Sequence, residues 1–120
     1  LLGRPIHSLL GGARLERLPC YVSGLPESTL ASRVSLALAW QGRGFNAFKF
    51  AAAVSHEGIV EEMRALRGAL GPSARILVDL HWKFTPGHAI KLITELERHD
   101  LHVAEAPLRP EDVGGLARVA

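Results

Sequence analysis

Asp79 and His81 stand two positions apart at the end of the apolar run Ile76-Leu77-Val78-Asp79-Leu80-His81-Trp82. The run is short and β-branched, and it is bounded by Gly71-Pro72-Ser73 and Thr85-Pro86-Gly87. This pattern predicts a buried parallel strand with its polar residues at the C-terminal end. Side chains alternate along a strand, so Asp79 and His81 are expected on one face and Val78 and Leu80 on the other. Polar residues also close three other apolar segments, and Ser23, Lys49, Asp79 and Glu105 follow one another at intervals of 26, 30 and 26 positions. Two carboxylates at the ends of adjacent strands, Asp79 and Glu105, suit a hard divalent cation such as magnesium, which takes oxygen ligands and keeps several waters or substrate oxygens. A histidine two residues beyond one ligand would sit beside that ion and move a proton near neutral pH. Lys49 lies between Ala47 and Ala51 and reads either as an ion-pair partner of Asp79 or Glu105 or as a catalytic group.

Four strands and their connecting helices must position these residues. The strands are expected at Leu18–Gly24, Asn46–Ala51, Ile76–Trp82 and Leu101–Pro107. Phe48 and Phe50 share one face of the second and should pack outward, with Lys49 inward. A first helix is expected from Pro26-Glu27 to about Gly42 or Gly44, with Leu30, Val34 and Leu38 on its apolar stripe. A second should start at Ser55 as N-cap and carry Ile59, Val60, Met63, Leu66 and Leu70. Thr85 and Pro86 should open a third bearing Ile90, Leu92, Ile93 and Leu96, and Pro110-Glu111-Asp112 a fourth. This βαβαβαβ order requires parallel strands with right-handed crossovers. The regular spacing and the absence of a G-x-G-x-x-G turn after the first strand favour a (β/α) TIM-type barrel over a doubly wound sheet. A full barrel needs about 250 residues, so four units make the first half of one, its last helix truncated.

With 120 residues, 48% hydrophobic and 22% charged, the composition is that of one globular domain with a real core. A net charge of +2 with dispersed Lys and Arg excludes a basic nucleic-acid footprint. No apolar run approaches the roughly 20 residues needed to span a bilayer. The single cysteine, Cys20, points to a reducing, cytoplasmic setting. His7, His56, His88, His99 and His102 read as solvated or capping residues, Arg14, Arg17 and Arg109 as surface residues, and Trp82 as the floor of a pocket or packing under its loop. Residues 1–17 lack the features of a signal peptide and read as the end of a helix and a linker leading into the barrel at 18–120, an organisation expected of a piece of a longer chain.

Leu9-Leu10-Gly11-Gly12, Gly44-Phe45-Asn46-Ala47-Phe48-Lys49, Val78-Asp79-Leu80-His81 and Glu105-Ala106-Pro107, in that order, resemble the enolase superfamily, in its mandelate racemase/muconate lactonizing branch. The resemblance implies a modified (β/α) barrel in which Asp79 and Glu105 are two of three carboxylate ligands to magnesium, the third lying outside this chain. It also implies abstraction of the proton α to a substrate carboxylate, with the metal stabilising the enediolate. Many members carry Lys-x-Lys on the second strand with the second lysine as base, whereas Lys49-Phe50-Ala51 has alanine there. The Asp-x-His of the third strand is similar to that of acid-sugar dehydratases such as D-galactonate dehydratase, which implies that His81 protonates the departing β-hydroxyl. The usual Glu-Glu-Pro or Glu-Gln-Pro is Glu105-Ala106-Pro107 here.

These features predict part of a magnesium-dependent dehydratase of aldonates or aldarates, homo-oligomeric at full length, with the 120 residues inactive alone. A racemase or cycloisomerase of the same branch, and a non-catalytic half-barrel that self-associates through its open sheet edges, are the alternatives.

Overall fold

Alternate burial along the strands builds the sheet. A computed structural model describes residues 2–12 and 17–120, and in it β1 (Val22–Ser23), β2 (Ala47–Ala51), β3 (Arg75–Asp79) and β4 (Leu101–Glu105) form one parallel sheet in the order β1-β2-β3-β4. A short α1 (Ile6–Leu9) precedes them, and α2 (Leu30–Gln41), α3 (Ile59–Leu70), α4 (Pro86–Glu97) and α5 (Val113–Val119) follow the successive strands. Sequential parallel order without reversal is the arrangement of half a TIM-type barrel, as expected.

Phe48 and Phe50 of β2 and Ile76 and Val78 of β3 are buried in one core with Ala37 of α2, Met63, Leu66 and Leu70 of α3, and Leu96 of α4. The intervening residues Lys49, Leu77 and Asp79 therefore lie on the opposite face. Among the described residues, no helix is long and apolar enough to cross a membrane.

Several boundaries differ from the sequence expectation. The first strand pairs only at Val22 and Ser23, opposite Phe48 and Lys49, and residues 18–21 stay exposed at the sheet edge. The first helix begins at Leu30 rather than Pro26, because Thr29 and Ser32 cap it reciprocally: Thr29 Oγ1 accepts the Ser32 N–H and Ser32 Oγ accepts the Thr29 N–H. Its buried positions are Arg33 and Ala37, and Leu38 is 42% exposed. Ser55 does not cap α3. It follows a 3-10 turn (Ala52–Val54), its hydroxyl donates to Glu62 Oε2 at 2.6 Å, and Gly58 with φ 109° takes the cap position. Ile90 also faces solvent, while Ala89 and Leu96 are buried. The third strand stops at Asp79 and the fourth at Glu105. Thr85 and Pro86 open α4 as expected, and Asp112 caps α5 by accepting the Gly115 N–H at 2.8 Å.

Arg33 turns inward because two acids meet it there. Its Nε donates to Glu62 Oε1 at 2.9 Å, its Nη2 to Glu57 Oε2 at 2.8 Å, and its Nη1 to the Glu27 carbonyl at 3.0 Å. Both Arg33 and Glu62 are fully buried. Glu57 also accepts the Leu30 N–H, and that hydrogen bond, ahead of the Arg33 guanidinium, holds its carboxyl below the usual carboxylate range.

Removing one partner of a buried pair strands the other charge. Glu62→Ala is expected to cost about 3–5 kcal/mol in urea unfolding, whereas Arg64→Ala, which breaks the exposed pair with Glu61, should barely move the midpoint. Because the folded pKa of Glu57 is lowered, its contribution is present above the ordinary carboxylate pKa and is lost as pH falls through the folded value. Acid unfolding of Glu57→Gln should therefore lack the part of the wild-type pH dependence that lies below about pH 4.5.

Candidate metal and acid–base site

Parallel pairing carries Asp79 and Glu105 to the same level. Asp79 is the register partner of Glu105 on one side and of Ala51 on the other, at the C-terminal ends of β2, β3 and β4. A register shift between Ile76 and Leu77, which pair with Leu101 and Val103, leaves His102 as an extra residue and brings the two acids level. Lys49 lies two pairs further back, opposite Leu77, and reaches across β3 to place Nζ 2.5 Å from Glu105 Oε2. That hydrogen bond, opposed in part by burial, pushes the ammonium of Lys49 above its ordinary pKa. The Tyr21 ring, with its centroid 5.4 Å from Nζ, completes its surroundings.

His81 meets Asp79 by a different route from strand alternation. The chain leaves the strand after Asp79, and His81 and Trp82 take left-handed backbone angles, φ 52° and 58°. This turn folds the imidazole back, so that Nδ1 lies 3.2 Å from Asp79 Oδ1 and 3.2 Å from the Asp79 carbonyl oxygen. Oδ1 also accepts the His81 backbone N–H at 3.0 Å. With Nδ1 facing Asp79, Nε2 is the ring nitrogen left for a substrate.

Consecutive non-glycine residues at positive φ are strained and persist where their surroundings over-determine them. Here the neighbouring segment does so. The Leu80 N–H donates to the Glu105 carbonyl at 2.9 Å, the Trp82 N–H to the Ala106 carbonyl at 2.7 Å, and the Phe84 N–H to the Pro107 carbonyl at 3.3 Å. Ala106 is itself left-handed at φ 49°. Its part in holding His81 escaped the sequence reading, since alanine carries no signal for such a backbone angle.

Trp82, 56% exposed, lines an open groove of about 1040 Å³ that also touches His81, Lys83 and Arg109, and does not pack beneath its loop. Arg109 is exposed there, and Ser23 is exposed opposite Lys49. His7, His56, His88 and His102 are exposed and His99 is half-buried. Arg14 lies outside the described residues.

Among the described residues, no group of three or more His, Cys, Asp or Glu side chains converges as a metal site. Asp79 and Glu105 nonetheless offer a magnesium ion the right donors: hard carboxylate oxygens in register, 22% and 46% exposed, with room for water or substrate ligands.

Residues 32–120 match the sequence model of a family described as enolase C-terminal domain-like. The chain belongs to that family. Its fold is close to the crystal structure of an enolase-superfamily member from Agrobacterium tumefaciens, with 51% identity and a TM-score of 0.89 over 95% of this chain and 29% of that one. A racemase from Streptomyces coelicolor A3(2), crystallised with bound magnesium, matches at 33% identity and a TM-score of 0.75, over 85% of this chain and 29% of its own. The D-gluconate/D-galactonate dehydratase of Picrophilus torridus is 31% identical across 96% of this chain and 32% of its own length. The chain thus spans about a third of the length of that relative. These similar proteins include both a dehydratase and a racemase, so family membership alone selects neither reaction.

The strain at Ala106 is open to a direct check. Glycine reaches φ 49° without the Cβ penalty, which outweighs its extra unfolded-state entropy. Ala106→Gly is expected to raise unfolding free energy by about 0.5–1 kcal/mol in denaturant titrations.

Proposed function

We propose that this chain carries one side of the active site of a magnesium-dependent acid-sugar dehydratase, acting on an aldonate or aldarate, with residues 1–17 as the lead-in and 18–120 as part of the barrel. The observation that supports this most is the meeting of Asp79, Glu105 and His81: two in-register carboxylates, with an imidazole hydrogen-bonded to the Asp79 carbonyl and 3.2 Å from the Asp79 carboxylate. The magnesium-bound racemase and the sugar-acid dehydratase among the relatives support the cofactor and the substrate class.

Asp79 and Glu105 would hold the metal, which supplies positive charge to the substrate carboxylate as the α-proton leaves. The chain's own residues do the rest. Asp79 accepts from Nδ1 of His81 and thereby fixes the ring, so that Nε2 presents a proton toward the β-carbon substituent. As the hydroxyl departs, Nε2–H protonates it and water leaves, while Asp79 stabilises the imidazolium before transfer. Lys49 places positive charge beside Glu105. Ala51 stands beside Asp79 where a second lysine would be needed for base catalysis from β2. On this reading β2 supplies no base for the α-proton.

Incubation with magnesium and a panel of aldonates and aldarates in deuterium oxide tests this reading. A longer polypeptide containing the chain should yield a 2-keto-3-deoxy acid, and the 120 residues alone should not. In the active polypeptide, His81→Asn should lower kcat by about 10²–10⁴-fold, and Asp79→Asn should abolish turnover. Exchange of the α-hydrogen without elimination would transfer the assignment to a racemase. Neither exchange nor elimination with any substrate would reject it.

A further inference from the structure

The ion pair between Lys49 and Glu105 carries a consequence for how the site takes up a cation. Lys49 projects from β2 across the whole width of β3 to reach a carboxylate on β4, although Asp79 lies on the nearer strand. Its side chain is only 13% exposed, so the ammonium is confined by the sheet and by Tyr21 rather than free to swing into water. Glu105 Oε2, at 2.5 Å, is committed to it. Any ion held by Glu105 and Asp79 must therefore either displace this ammonium or share a carboxylate with it at close range, and like charges that close repel, although the 46% exposure of Glu105 lets water screen them in part.

We propose that Lys49 is the resident counter-cation of the site: its ammonium neutralises Glu105 when no divalent ion is bound, and competes with that ion for the same carboxylate. This rests on the reading of Asp79 and Glu105 as ligands. The pairing has two effects. It removes the repulsion that two unpaired carboxylates at adjacent strand ends would impose on the folding chain, and it weakens cation binding so that occupancy depends on the further ligands a substrate or another strand provides. A structural lysine and an antagonist of the metal are then one residue.

Manganese, which shares the oxygen preference of magnesium, serves as the probe. Mn2+ titrated into the 15N-labelled chain should broaden the backbone amides of Asp79 and Glu105 first, and the concentration dependence gives an affinity independent of any activity. Lys49→Met, close in shape and uncharged, is expected to bind Mn2+ about fivefold or more tightly, with a correspondingly larger rise in Tm on adding the ion. Lys49→Arg should stay near wild type. Glu105→Gln in the Lys49→Met background should erase the gain. If Lys49→Met does not fold, Lys49→Gln carries the same expectation. Unchanged or weaker binding in the neutral variants, with broadening still centred on Asp79 and Glu105, would overturn the competition and leave the metal site standing. Broadening centred elsewhere, in the wild type and the neutral variants alike, would overturn the metal site as well.

Discussion

Burial of every second residue in β2 and β3 is the constraint on which the candidate site depends. Phe48, Phe50, Ile76 and Val78 cannot leave the helical side of the sheet without exposing large apolar surfaces, so a slip of one position in either strand is prohibited. Register then follows, and with it the level placement of Ala51, Asp79 and Glu105. The acids are aligned by hydrophobic packing on the opposite face, which is why the polar face can hold residues that repel one another. Lys49 offsets that repulsion from within the same sheet.

The turn after β3 shows how a reactive geometry is held by a segment other than its own. His81 and Trp82 occupy backbone angles that neither residue type favours, and backbone hydrogen bonds to Glu105, Ala106 and Pro107 keep them there. The imidazole is thereby coupled to the strand end that bears the second carboxylate. A shift in one turn would be felt by the other, so the acid Asp79, the acid Glu105 and the imidazole behave as one mechanical unit.

Behind β2, a second polar cluster braces the helices. Arg33 joins α2 to Glu62 of α3 and to Glu57, while Ser55 ties the same Glu62 to the loop that follows β2. An interior arginine is costly unless all its donors are satisfied. Here each of its three nitrogens has a partner, the Glu62 and Glu57 carboxylates and the Glu27 carbonyl. The cluster fixes where α2 and α3 sit over the Phe48 and Phe50 face, and so supports the register from outside.

The sequence by itself determined the βα order, the parallel sheet, the half-barrel architecture and the pairing of Asp79 with Glu105, because apolar periodicity and regular spacing are local properties that survive into the fold. Apolar stripes, glycines and prolines located most elements in the same way. Tertiary structure decided the rest. The burial of Arg33 depends on Glu57 and Glu62, 24 and 29 positions away, which meet it only in the fold. Ser55 has the chemistry of a cap, but a buried carboxylate claims its hydroxyl. Lys49 had two acids within plausible reach, and only the register across three strands selected Glu105. His81 was placed beside Asp79 by strand alternation, yet it arrives there through a left-handed turn stabilised by Ala106, a contact between segments that no periodicity encodes. What was legible depended on neighbours in the chain; what was not depended on partners that only folding brings together.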